Sequence, residues 1–251
     1  MPPKLDVPHV TARVECGDCP IRYRAVCARC DDGELDLLNR IKTYETYPAG
    51  KTILWAGESM RFLGSVVTGV ATLSHTLEDG RRQMVGLLLP SDFVGRPGRS
   101  ASPYDVTAVT DVTLCRFNRT EFEKIIGASP RIGGRLLEMT MDELDAARDW
   151  MLILGRKTAR EKIASFLAIL ARRQLALSPG RSAGAVSFEL PITREAIADY
   201  LGLTLETVSR QMTALRKDGV IEAPSLRRIV APDFSALLAE TGDDADGAAP
   251  A

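Results

Sequence analysis

Across residues 46–117 apolar side chains come in short runs of strand length separated by Gly, Pro and Asp, whereas residues 135–154 contain neither Gly nor Pro. Few architectures accommodate that change. Short strands joined by tight turns with no helices among them close into an antiparallel barrel or roll. The uninterrupted stretch then has to leave it as one helix of about six turns. The clearest strand is residues 70–77, in which Ala71, Leu73, His75 and Leu77 share a face and Asp79-Gly80 supplies the hairpin turn. Residues 83–89 and 106–117 read as further strands around a Pro/Gly-rich loop at 90–103. In the last strand Val106, Ala108, Val112 and Leu114 fall on one face, and Val109, Asp111, Thr113, Cys115 and Phe117 on a more polar one. Ahead of the roll, residues 32–42 carry Leu35, Leu38 and Ile41 at helical spacing.

The long helix opens at Ser129-Pro130, a capping residue followed by proline at the first helical position. Read as heptads, Leu137, Leu144 and Met151 take one seam position and Thr140, Ala147 and Leu154 the other. So narrow a stripe fits a partner helix from a second subunit better than packing within one domain. Thr140 and Ala147 bury little area, at about 25 cal/mol per Å², so a distant event can tip the seam.

Residues 157–175 form another amphipathic helix, with Ala159, Ile163, Phe166, Leu167 and Leu170 inward, and residues 186–190 a short strand. Residues 191–203 read as a helix closing on glycine, and Thr204 caps a second helix that ends at Gly219. Two short helices joined by such a turn make a helix-turn-helix, and residues 220–230 follow as a β-hairpin wing. In the second helix Val208, Met212 and Leu215 face the core and leave Glu206, Ser209 and Arg210 on another face near the N-terminal end. That end enters a major groove, where Arg210 can bond guanine bidentately, Glu206 can accept from cytosine, and Ser209 tolerates several bases. Thr204, Lys217 and Arg227 complete the candidate DNA contacts. A solvated Glu–Arg pair is the ordinary meaning of such a trio. The charge distribution favours double-stranded DNA, because residues 156–231 hold 13 Lys/Arg against 7 Asp/Glu in a chain of net charge −1.

Four of the 5 cysteines fall together as Cys16-x2-Cys19-x7-Cys27-x2-Cys30, and the last is Cys115. Such clustering argues for one metal or redox role. The residues leave three chemistries open: zinc on Cys16, Cys19, Cys27 and Cys30, a redox dithiol, or an iron–sulfur cluster that recruits Cys115. The x7 separation is shorter than a zinc ribbon usually has, and no βαβ context supports a thioredoxin-like pair. Residues 1–14 hold three prolines and no apolar run, so no signal peptide is expected, and no later segment is long enough to span a membrane. A cytoplasmic protein follows, in which clustered thiols serve as ligands rather than disulfides. The stretch from Thr241 reads as a disordered tail.

Glu206-Thr207-Val208-Ser209-Arg210, behind the helix at 191–203, a long central helix and an N-terminal β-roll, resembles the CRP/FNR superfamily of dimeric bacterial transcription regulators. The cysteines place that resemblance in the FNR branch of oxygen sensors, of the FnrL/FnrN type. It implies an α+β fold: a cysteine-rich cluster-binding segment (1–30), an antiparallel, cyclic-nucleotide-binding-like β-roll (31–128), a dimerisation helix (129–155), a winged helix-turn-helix (156–240) and the tail (241–251). It also implies a homodimer without enzymatic activity, active anaerobically, and a target like TTGAT-N4-ATCAA. An oxygen-labile [4Fe–4S] cluster is implied on Cys16, Cys19, Cys27 and Cys115, with Cys30 extra and available as a substitute for Cys27. A contact with RNA polymerase is implied near Asp79-Gly80-Arg81, where a solvated turn is the plainer reading. Leu205 and Ser209 replace an arginine and a glycine of the cyclic-AMP receptor branch. Ser91-Asp92 replaces the Gly-Glu of its phosphate pocket, and Arg99-Ser100 does not align with its Arg-Ser, so no cyclic nucleotide is expected. Haem has only His75 as a tempting ligand, and that residue reads as a core or rim histidine.

Overall fold

In the computed structural model, residues 15–177 and 184–243 are described, and the chain divides into two units, Met1–Met141 and Asp142–Ala251. Residues 1–14 and 244–251, parts of the expected N-terminal segment and tail, lie outside the described residues.

The first unit opens with a 3-10 turn at Cys16–Asp18 and helix α1, Asp32–Ile41, whose Asp31 and Glu34 form a reciprocal capping box. Strands β1 (Lys42–Tyr47), β2 (Thr52–Leu54), β3 (Phe62–Thr68), β4 (Ala71–Thr76), β5 (Arg82–Leu88), β6 (Phe93–Val94), β7 (Asp105–Ala108) and β8 (Val112–Asn118) follow, then helices α2 (Arg119–Ala128) and α3 (Pro130–Arg156). The strands form two antiparallel sheets, ordered β1-β8-β3-β6 and β2-β7-β4-β5. Both sheets contribute to one core, including Phe62, Val66, Ala71, Leu88, Val106 and Leu114. A second core lies on the opposite face of β3 and β8, where Leu63, Val67, Cys115 and Phe117 meet Val26, Leu38 and Phe122.

Several expectations change here. The strand expected at 106–117 is two strands in different sheets, because the chain turns at 109–111. Cys115 does lie opposite Val112 and Leu114, but its face is a second core rather than a polar surface: Cys115 is 7% exposed. In β4 a register shift between Leu73 and Ser74 reverses the alternation, so Ser74 is buried and His75 exposed, its ring against Tyr104. His75 is therefore a rim residue. Helix α2 and strand β6 had no expected counterpart.

The hairpin between β4 and β5 forms at Asp79-Gly80 as expected, with Gly80 at φ 86°. Ser129 caps α3 by accepting from the Ile132 N–H at 3.2 Å.

In the second unit the C-terminal half of α3 is followed by α4 (Ala159–Leu177), β9 (Val186–Glu189), α5 (Arg194–Leu201), α6 (Leu205–Lys217), β10 (Arg228–Ala231) and α7 (Phe234–Ala239). Thr193 caps α5 and Thr204 caps α6, each accepting at 3.2 Å, and Gly202 takes the left-handed conformation between the two helices. Helix α5 thus starts at Arg194, not at residue 191: Pro191 and Ile192 precede the cap. The wing is also different. Its strand β10 pairs with β9, and the expected hairpin partner contributes one bridge, Glu222 to Val230. Arg160 ties α4 to Glu240 at 2.6 Å and to Asp218 at 2.8 Å. The expected tail is tied down at its start: Thr241 is buried and donates to Leu238 O, while the exposed Asp243 pairs with Lys157.

Candidate cluster site and nucleic-acid interface

Turns bend residues 15–30 over the face of β3 and β8 that carries the second core. Arg22, buried despite its charge, fixes this bend by donating to the backbone carbonyls of Cys27 and Cys30, the latter at 3.0 Å. The result is a cavity lined by Cys16, Cys19, Cys27 and Cys115, closed by apolar side chains such as Ile21, Leu38 and Phe117 and by Tyr44 and Ser65. Cys30 is buried but does not line it.

The electrostatics draw the same grouping. Burial raises the Cys115 thiol above its ordinary range, and the thiols that add to the effect are Cys19, Cys16 and Cys27. Burial pushes Cys27 up to about 11, with Cys19 and Cys16 as its thiol neighbours. It pushes Cys30 up to about 12, with Cys27 as its thiol neighbour. Cys16 is also raised by burial, and opposed by the Lys42 ammonium, which donates to Cys16 Sγ at 3.6 Å. The Tyr44 hydroxyl donates to Cys19 Sγ at 3.8 Å. Buried neutral thiols of this kind must lose protons to bind metal, so loading couples to proton release.

Among the described residues, no three His, Cys, Asp or Glu side chains converge tightly enough to hold a single metal ion. Zinc with Zn–S bonds near 2.3 Å requires four sulfurs roughly 3.8 Å apart. A ring of thiols around a cavity instead suits a cluster that offers each thiolate its own iron. The donor set is four thiols in an apolar enclosure with two hydroxyls in its wall, and it fits a [4Fe–4S] group. Lys42, Tyr44, Ser65 and Arg22 were not singled out from sequence. Arg22 alone carried a signal, being a charged residue inside the cysteine stretch.

The cysteine segment also touches α3 within the first unit. Ile132, Leu136 and Met139 pack against the core that holds the thiols. Arg135 donates to the Arg24 carbonyl at 2.7 Å, and Arg29 pairs with Glu138 at 2.8 Å. Further along α3 the six expected seam positions, Leu137, Thr140, Leu144, Ala147, Met151 and Leu154, are all exposed. Met141 and Leu152 are exposed too and widen the stripe. Exposed apolar side chains in such a row mark an interaction surface.

On α6, Val208, Met212 and Leu215 are buried, as their spacing requires. Glu206 and Arg210 are exposed and Ser209 half-buried on the outer face, and Thr204, Lys217 and Arg227 are exposed around them. Trp150 of α3 stacks on Tyr200 of α5 with ring centroids 4.3 Å apart.

Residues 161–240 match the Crp-like helix-turn-helix domain and residues 44–129 the cyclic nucleotide-binding domain. The chain is 62% identical over 245 residues to the transcriptional activator protein FnrL of Cereibacter sphaeroides, covering 98% of each. The chain belongs to the CRP/FNR family. This CRP/FNR chain is also 38% identical over 206 residues to the nitrogen fixation regulation protein FixK of Bradyrhizobium diazoefficiens, covering 82% of this chain and 85% of the other. The structure of FixK2 from Bradyrhizobium japonicum superimposes with a TM-score of 0.73 at 34% identity, over 82% of this chain and all of that one. CRP/FNR proteins are transcription regulators rather than enzymes, and the β-roll followed by a DNA-binding helix-turn-helix is their architecture. No helix among the described residues is long and apolar enough to cross a membrane.

Proposed function

We propose that the chain is a cytoplasmic, oxygen-responsive transcription activator. It works as a homodimer in the absence of oxygen on a palindrome like TTGAT-N4-ATCAA, with a [4Fe–4S] cluster held by Cys16, Cys19, Cys27 and Cys115. One observation carries this reading: those four thiols line a single cavity from which Cys30 is excluded. The relative named as an activator, at 62% identity, supports the same direction. A zinc staple built on the two Cys-x2-Cys pairs would use Cys30 in place of Cys115.

When bound, the cluster supplies reactivity toward oxygen. The rest is done by the chain. Cys16, Cys19 and Cys27, joined through one centre to Cys115, fasten residues 15–30 onto β8. The fastened segment holds the first turns of α3 through Arg24, Arg29 and the apolar contacts at Ile132, Leu136 and Met139. Helix α3 then presents Leu137, Thr140, Leu144, Ala147, Met151 and Leu154 to a second copy. In the dimer two α6 helices reach half-sites about one helical turn apart. Arg210, Glu206 and Ser209 read bases, while Thr204, Lys217 and Arg227 hold phosphates. By the family resemblance alone the Asp79-Gly80-Arg81 hairpin is the candidate contact for RNA polymerase, a solvated turn being the plainer reading. Once the thiols are no longer joined, the segment loses its anchor on β8, and the seam reverts to monomers. A bias of a few kcal/mol between the two states suffices for such a switch.

Protein purified without oxygen tests this directly. Iron and acid-labile sulfide in equal amounts, with visible absorption that bleaches as air is admitted, are expected. Zinc in place of iron would refute the oxygen-sensing reading.

A further inference from the structure

Cys115 lies in direct register with Tyr44 of β1 on one side and Ser65 of β3 on the other. Residues paired in this way across antiparallel strands put their side chains on the same face, with Cβ atoms about 4.5–5.5 Å apart. The three form one row in the wall of the cysteine cavity. Tyr44 already has a use for its hydroxyl, on Cys19 Sγ. Ser65 has none. It is 1% exposed, it lines the cavity, and its Oγ makes no hydrogen bond.

A buried hydroxyl without a partner is uncommon in a folded protein and calls for a cause. The neighbours of Ser65 on the same face of β3 are Leu63 and Val67, both buried core residues. An apolar residue at 65 would continue that face, avoiding the penalty of an unpaired hydroxyl. Protein atoms offer Ser65 no acceptor, and the space beside it is the one enclosed by Cys16, Cys19, Cys27 and Cys115.

We propose that the Ser65 hydroxyl donates a hydrogen bond to an anionic sulfur at this site, the Cys115 thiolate or a sulfide beside it, and thereby sets the reduction potential of the bound cluster. The inference rests on the [4Fe–4S] reading above. A serine hydroxyl carries one proton and rotates to aim it. Hydrogen bonds to sulfur are among the factors that fix cluster potentials. By drawing charge from sulfur the donor favours the reduced state, so Ser65 raises the potential and makes the cluster harder to oxidise.

The test compares wild type, Ser65→Ala and Ser65→Thr, all purified without oxygen. Each is measured for iron and sulfide content, reduction potential, and iron–sulfur stretching frequencies by resonance Raman in H2O and D2O. Ser65→Ala is expected to load iron and sulfide like the wild type, with its potential shifted downward. The D2O-sensitive shift of the wild type disappears in it, and its absorption bleaches faster in air. Ser65→Thr, which keeps the hydroxyl, restores the wild-type potential and isotope shift. Cluster-free Ser65→Ala should resist urea at least as well as cluster-free wild type, since a methyl group replaces an unpaired hydroxyl. A loaded Ser65→Ala with unchanged potential and unchanged isotope shift overturns the role of the hydroxyl and leaves the cluster reading standing. So does a Ser65→Thr potential displaced as far as that of Ser65→Ala. A wild type that takes up zinc and no iron overturns both.

Discussion

Cys27 and Cys30 are the two ends of a single Cys-x2-Cys pair, and nothing in their spacing tells a ligand from a bystander. The bend held by Arg22 separates them, leaving Cys27 on the cavity and Cys30 behind it. Cys30→Ala is therefore expected to retain full iron and sulfide, whereas Cys27→Ala and Cys115→Ala lose both; metal analysis of anaerobic protein reads the result. The reverse outcome at 27 and 30 would exchange their roles. The buried thiol and phenol groups also set a pH limit. Burial pushes Cys30 up to about 12 and Tyr47 up to about 12, above the ordinary ranges of a thiol and a phenol. The unfolded chain loses these protons first, so the cluster-free fold is fully stabilised below roughly pH 8.5 and weakens as pH climbs toward 12. Urea midpoints of reduced, cluster-free protein should fall between pH 8.5 and 11, and fall less steeply in Cys30→Ala. That Cys16, Cys19 and Cys27 come together around one cavity was legible in their clustering, whereas the spacing did not exclude Cys30. Tyr44 and Ser65 were not legible, because only strand register places them beside Cys115.

Period alone found most of the elements. Strand β5, the Asp79-Gly80 hairpin, α1, α3, α4 and the pair α5–α6 fall close to where apolar spacing and caps put them. The failures are places where one residue changes the phase. The register shift after Leu73 exchanged His75 for Ser74, and the turn at 109–111 split one apparent strand between two sheets. Two elements carry the proposed function outward. On α6, Arg210→Ala is expected to cost about 1–3 kcal/mol of specific binding and relax preference at one base pair. Lys217→Ala or Arg227→Ala should weaken binding evenly across sequences and reduce the salt dependence by about one ion each. Titration of matched and singly mismatched duplexes at two salt concentrations separates these cases. On α3, Thr140 turns its hydroxyl back to the Leu136 carbonyl at 2.7 Å and has only a methyl group to bury. Leu144 and Met151 thus supply much of the seam's apolar area. Leu144→Asp or Met151→Asp should leave iron content unchanged and give monomers under anaerobic sedimentation. A dimer that survives both changes would place the interface elsewhere.

At the scale of the molecule, the proposed sensing requires a physical route from thiols near the N-terminus to a helix more than a hundred residues later. No local pattern could reveal it, since nothing in the sequence around Arg24 or Arg135 points from one to the other. The fold provides it inside one unit: Arg135 grips the Arg24 carbonyl at 2.7 Å, beside the shared core of Ile132, Leu136 and Met139. The nearby Arg29–Glu138 pair is more exposed, and ion pairs of that kind contribute little. Arg135 is thus the stronger polar link between the segment and α3. If it transmits the state of the site, Arg135→Ala will load iron and sulfide normally and yet respond weakly to air. The quantity to measure is the ratio of DNA affinities before and after oxygen exposure. For an allosteric coupling of about 1–3 kcal/mol that ratio is roughly 5–150-fold in the wild type. It should approach unity in Arg135→Ala, while Arg135→Lys, which keeps a donor for the Arg24 carbonyl, retains part of it. An undiminished ratio in a fully loaded Arg135→Ala would mean that the apolar contacts at Ile132, Leu136 and Met139 carry the coupling without the hydrogen bond.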